Sequence, residues 1–210
     1  MITLDLRKEL KQFYAPSAKK VELVNVPEFQ FAMIDGAIEQ GMEPGNSPAF
    51  ASAMEALYGI SYTLKFTSKL RKVDPIDYPV MALEGLWWVE EGEFRIDRKD
   101  NYVWTVMILQ PDHITPEMFE DARAQVRSKR SDNPAVGQLR LERFREGLCV
   151  QTLHVGPYAD EPATMARMDA FATESGYVLC GKHHEIYLGN PLRAALEKLK
   201  TVLRHPVEKA

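Results

Sequence analysis

Only two cysteines, Cys149 and Cys180, occur in the 210 residues, and no Cys-x-x-Cys spacing brings thiols together. That excludes a disulfide framework and argues against zinc or thiol-redox chemistry; both thiols lie in apolar surroundings and are expected to be reduced and buried. No stretch approaches the ~20 apolar residues of a membrane-spanning helix. The leading segment MITLDLRKELKQFY is charged throughout and lacks the apolar run and small-residue cleavage site of a secretion signal. A basic excess is also missing: 26 Lys and Arg stand against 30 Asp and Glu, for a formal charge of −4. Nothing global therefore favours nucleic acid or an anionic membrane. The short cluster RSKRS at 127–131 reads as a solvated helix end. Apolar residues make up 45% of the chain, enough for a sizeable core. The expectation is a cytoplasmic protein, a monomer or weak homodimer, that meets a small molecule in a pocket and contacts neither nucleic acid nor membrane.

Periodicity and punctuation outline the elements. FQFAMIDGAI (29–38) is rich in strand formers, with Gly36 near its end. Ser47-Pro48 is a helix cap followed by a proline in the first turn, and Phe50, Met54 and Leu57 recur at helical spacing. YPVMALEGLWWVE (78–90) and NYVWTVMILQ (101–110), separated by the charged EGEFRIDRKD, predict a hairpin. Thr115-Pro116 repeats the helix start, with Met118, Phe119, Ala122 and Val126 as its apolar stripe and an end near Arg130. LRLERF and then LCVQTLHV (148–155) predict strands, the second ending at Gly156-Pro157-Tyr158. A helix carrying Met165, Met168 and Phe171 follows and stops at Gly176. GKHHEIYLGNP (181–191) reads as a strand, and NPLRAALEKLKTVLRHPV as a short helix followed by a strand, although its leucine spacing also fits one longer helix. Strand, helix, strand, strand thus describes 29–110 and again 148–207. The expected architecture is α+β: one domain of two modules, about 21–131 and 132–210. In this comparison KHHEIYL lies over VMALEGLWW, setting Glu185 near Glu84.

Six segments in order, ALYGISYTLKF, YPVMALEGLWW, VWTVMILQPDHIT, HVGPYADE, GKHHEIYLGNP and KLKTVLRHPV, resemble the stand-alone GyrI-like small-molecule-binding proteins over almost the whole chain. The resemblance implies two strand-helix-strand-strand modules related by a pseudo-twofold, antiparallel sheet with helices on one side, and a central pocket for flat, hydrophobic compounds. No cofactor is implied. Domains of this type also serve as effector-binding parts of multidrug-responsive activators and as a gyrase-inhibiting protein; a regulator role is disfavoured because no helix-turn-helix region precedes the domain here. Some stand-alone members hydrolyse the cyclopropane ring of DNA-alkylating cyclopropanoid antibiotics, and their aromatic-rich hairpin is what YPVMALEGLWW resembles. Family members carry a glutamate at the base of the pocket in the motif that here contains Glu185.

Strand alternation places His183, Glu185 and Tyr187 on one side and His184, Ile186 and Leu188 on the other. The second set suits packing against helices, which leaves Glu185 and Tyr187 to line the cleft. Glutamate is depleted in strands and expensive to bury, so its position calls for a partner, water or a function. For opening of a cyclopropane conjugated to a dienone, Glu185 would hold the attacking water, and Tyr187 is a candidate donor to the developing phenolate. Candidate ligand contacts are Trp87, Trp88, Trp104, Met107, Tyr158 and His183. Trp87 and Trp88 point to opposite faces, so only one touches ligand, and Trp104 and Met107 are likewise on opposite faces. No metal is expected, since the adjacent histidines of a strand cannot face one ion.

Overall fold

The computed structural model describes residues 2–92, 94–96, 101–189 and 194–210. In chain order its elements are β1 (Ile2–Thr3), α1 (Leu6–Glu9), α2 (Lys11–Tyr14), β2 (Glu22–Ala37), α3 (Pro48–Lys69), β3 (Ile76–Asp77), β4 (Leu83–Trp88), β5 (Val103–Gln110), α4 (Pro116–Lys129), β6 (Arg140–Val155), α5 (Glu161–Glu174), β7 (Tyr177–Leu179), β8 (His183–Tyr187) and β9 (Lys200–Lys209). Both proline-led helices begin where the sequence places them: Ser47 Oγ accepts from the Phe50 amide and Thr115 Oγ1 from the Met118 amide. Each hydroxyl satisfies one of the amides that a helix start leaves unpaired.

Six strands run β6-β2-β5-β4-β8-β9, every pairing antiparallel, and β9 pairs back onto β6. The sheet is thereby a closed, barrel-like ring with no free edge among these six strands. The pairing order β2-β5-β4 recurs as β6-β9-β8, and the units meet along β2–β6 and β4–β8. LRLERF and LCVQTLHV form one continuous strand instead of two, because Gly147 takes a φ of 81° and carries the chain through without ending its pairing to β2. Near the C-terminus, the described residues hold a single 3-10 turn at Leu196–Lys198 before β9; Asn190 and Pro191 of the GKHHEIYLGNP motif and Leu192 lie outside them. Cys149 is buried, but Cys180 is partly exposed, contrary to expectation, and both are free thiols.

Helices α3 and α5 lie on the outside of the ring. α3 packs on β2 and β5, α4 packs on α3, and α5 sets Met168 and Ala172 against Val150, Leu203 and Val207. The inside is filled by side chains from alternate positions, and one end is closed by the leading segment. Tyr14 donates to Glu84 Oε1 at 2.6 Å, while the carbonyls of Phe13 and Gln12 accept from Arg204 and Gln151 at 2.6 and 2.8 Å. The cavity left there is about 10 Å³, room for no more than a water. A ligand pocket must therefore be sought outside the ring. No helix among the described residues is long and apolar enough to cross a membrane.

Candidate active site

The cross-strand register aligns four nitrogen-bearing rings on the helix-facing side of the barrel. Trp104 on β5 is opposite Trp87 on β4, which is opposite His183 on β8, and the His183 ring lies 5.6 Å from that of His205 on β9. Two residues along each strand the next row brings Val106, Gly85 and Glu185 side by side. Gly85 matters here: a Cβ on it would sit 2.7 Å from Trp87 Nε1. Its absence lets the Trp87 indole fold across β4 toward the following row. There Trp87 Nε1–H donates to the Tyr187 hydroxyl at 3.1 Å, and Tyr187 donates to Glu185 Oε2 at 2.6 Å. Gly36 does the same for Trp104, with the ring where a Cβ would be.

The surroundings are apolar and nearly dry. Glu185 is 4% exposed, and Phe50 at the start of α3 touches both Trp87 and Trp104. Phe94 stacks on Tyr102 and lies against His183, and the Tyr158 ring meets Tyr187 edge-on. Burial, reinforced by the Glu185 and Glu161 charges, holds the Tyr187 phenol well above its usual range, and the same causes push Tyr158 up to about 12. Tyr187 is therefore a phenol, a proton donor, at any ordinary pH. Burial and the neighbouring His183 push His205 down to about 3, so it is neutral.

The expected site residues divide cleanly. Glu185, Tyr187, Trp87, Trp104, Tyr158 and His183 gather on one face. Trp88 does not: with β4 unbroken by a bulge it points the opposite way, where Lys182 Nζ lies 3.4 Å from its ring centroid. Met107 is also off the site, opposite Glu84 on the barrel's inner face. The assignment of faces on β8 needs correcting as well. His184 and Ile186 line the barrel interior, and it is the Glu185 set that meets the helices, because closure of the ring puts the helices outside. Glu84 and Glu185, near each other in the repeat comparison, thus point to opposite faces. Sequence reasoning missed Phe50, Phe94, Tyr102, Glu161 and His205. Glu161 had a faint signal in HVGPYADE, but an acidic residue in a first helical turn is ordinary on electrostatic grounds alone.

Behind β8 the interior holds a second polar cluster. His184 sits between two carboxylates, Nδ1 at 3.0 Å from Glu146 Oε1 and Nε2 at 3.1 Å from Glu84 Oε2, and Arg204 donates to Glu146 Oε2 at 3.1 Å. Burial opposes the imidazolium, but Glu146, together with hydrogen bonds to both carboxylates, prevails and raises His184 to about 9. Burial likewise opposes the Glu146 charge, and His184 with Arg204 overcomes it, holding Glu146 at about 2. The cluster is internally satisfied and ties β4, β6, β8 and β9 together. A larger groove of about 340 Å³ between α3 and α4, lined by Tyr58, Tyr62 and Lys129, includes none of the expected site residues. Among the described residues no group of three or more His, Cys, Asp or Glu is placed to hold a metal.

A closed antiparallel ring with helices packed on its outside has a counterpart among known domains. The model of the GyrI-like small-molecule-binding domain matches residues 19–208. The chain belongs to that family. This GyrI-like chain is similar to the crystal structure of an uncharacterised conserved protein from Listeria innocua, at 40% identity and a TM-score of 0.88, over 98% of this chain and 100% of the other. It is also similar to a hydrolase encoded by lin2189 from Listeria innocua, at 38% identity and a TM-score of 0.84 with the same coverage. The C-terminal domain of EcmrR, at 13% identity and a TM-score of 0.54 over 91% of this chain and 98% of that one, shares the fold. No curated protein matches the sequence significantly.

Proposed function

We propose that this GyrI-like protein binds flat, hydrophobic small molecules against the Trp87–Trp104–Tyr158 face and hydrolyses electrophilic compounds of the cyclopropanoid type, with Glu185 directing water. The observation that carries the reading is a 4%-exposed carboxylate, Glu185, held by the Tyr187 hydroxyl at 2.6 Å among aromatic rings. A carboxylate fixed in place this way can accept a proton from a water held against it. The reaction adds one water to the strained ring: the water oxygen bonds to the cyclopropane methylene, its proton passes to Glu185, and the ring C–C bond breaks. The electron pair of that bond moves into the conjugated dienone, whose carbonyl oxygen becomes a phenolate and takes a proton to give the phenol. Tyr187, kept protonated by burial and by Glu185, is the donor closest to Glu185 for that last transfer. Similarity to the Listeria hydrolase supports an enzyme over a passive binder.

The test is incubation of the purified protein with a cyclopropane-containing DNA alkylator, followed by mass spectrometry. Repeated turnover to the ring-opened, hydrated product supports the reading; stoichiometric binding without product leaves sequestration of planar xenobiotics as the function. A gyrase-binding role predicts inhibition of DNA supercoiling at micromolar protein.

A further inference from the structure

Buried polar side chains nearly always find a hydrogen-bond partner, and each exception in a folded protein calls for a reason. His183 is 1% exposed, and neither of its ring nitrogens has a hydrogen-bond partner among the described residues. Its Nε2 lies 3.5 Å from Glu185 Oε1, without the geometry of a hydrogen bond. The ring lies against Phe94 and His205, each 5.6 Å away between centroids and tilted by 35° and 39°. Its nitrogens, on the ring edge, are the groups still to be satisfied. The same holds along the row: among the described residues, Trp104 Nε1 and His205 Nδ1 are buried without a partner, whereas the Trp87 N–H is spent on Tyr187. Three of the four heterocycles that cross the sheet beside Glu185 therefore carry uncommitted ring nitrogens.

Burying such groups is unfavourable by about 1–3 kcal/mol each unless something satisfies them. We propose that this row is a polar seat for an uncharged oxygen on the edge of a planar aromatic ligand, a carbonyl or a phenolic hydroxyl, and that His183 makes the deciding hydrogen bond. The proposal rests on the aromatic face being the ligand site. An imidazole ring carries two nitrogens that can serve hydrogen bonds to either oxygen, and the Trp104 indole adds a further donor. A ligand carboxylate is disfavoured, because the charges of Glu185 and Glu161 are both felt by the two tyrosines of the site. His183 thus selects by the polar edge of the ligand, while the rings around it hold the face.

Calorimetric titration with 2-naphthol and with naphthalene tests this, on the wild-type protein and on His183→Phe and His183→Gln. The wild type should bind 2-naphthol roughly tenfold tighter than naphthalene, the worth of one hydrogen bond to an otherwise unsatisfied buried group. His183→Phe keeps the ring contacts and should bind the two probes equally; His183→Gln, with a donor and an acceptor, should restore part of the preference. Without ligand, His183→Phe should melt no lower than wild type, because no hydrogen bond within the protein is lost. A clear fall in its melting temperature overturns the proposal, as does a wild type that binds both probes equally, an outcome that leaves the aromatic pocket standing. Binding of neither probe overturns both.

Discussion

Glu185 and His184 are neighbours on one strand with opposite surroundings, and the difference predicts different behaviour. On the outer face, Tyr187→Phe removes the donor to Glu185 Oε2 and the proposed proton source, so ring-opening turnover should fall by roughly 10- to 100-fold, with naphthalene binding changed by less than about threefold. Rate and calorimetric measurements on the same preparation separate the two. On the inner face, the charged pair of His184 and Glu146 sets a pH window for stability. His184 is raised from 6.5 to about 9, so its contribution is complete below pH 6.5 and is lost as pH rises toward 9. Glu146 is lowered from 4.5 to about 2, so its contribution is complete above pH 4.5 and is lost as pH falls toward 2. Urea unfolding should therefore find maximal stability between about pH 4.5 and 6.5, with a loss on the order of 3 kcal/mol by pH 10. A flat profile from pH 6 to 10 would contradict the pairing. Alternation along GKHHEIYLGNP made the composition of each face legible. It could not say which face meets the helices, because alternation is relative and ring closure depends on partners far along the chain.

At the scale of elements, the leading segment does more than its charged, unpatterned sequence suggests. The family match begins at residue 19, yet α2 closes the barrel through Tyr14, which donates to Glu84, and through the Phe13 carbonyl, which accepts from Arg204. Tyr14→Phe leaves a buried carboxylate short of a donor and should cost about 1–2 kcal/mol, seen as a melting temperature lower by about 2–8 °C for a chain of this size. Two four-residue helices are too short to announce themselves by periodicity, and their contacts are with residues more than 65 positions away. The hairpin of β4 and β5 and the caps of α3 and α4 were legible, because turn chemistry and capping act over a few residues. Gly85 illustrates what lies between. A glycine within a strand can mark a bulge; here β4 pairs without one, and the glycine instead makes room for Trp87 Nε1. Gly85→Ala should push the indole off Tyr187 and lower turnover by about tenfold, while circular dichroism shows the same strand content. Unchanged turnover would mean that Trp87 does not position Tyr187.

For the whole molecule, closure of the sheet decides where chemistry can occur. Once six strands form a ring filled by Glu84, Glu146, His184, Arg204 and their neighbours, the interior has no room for a ligand, and the proposed site is the outer face near the starts of α3 and α5. Four of the ring's six pairings join strands that are not consecutive in sequence, which is why strand patterning gave the elements and their repeat but left the ring itself out of reach. The central claim is that Glu185 delivers a water to a strained electrophile. The most direct measurement is a single-turnover reaction in ¹⁸O-enriched water, comparing the wild-type protein with Glu185→Gln, which keeps shape and volume but cannot take the proton. Wild type should give hydrated product carrying one ¹⁸O, and Glu185→Gln should bind substrate within about threefold of wild type yet form product about 10²- to 10⁴-fold more slowly. Product formed at the wild-type rate by Glu185→Gln would contradict the account.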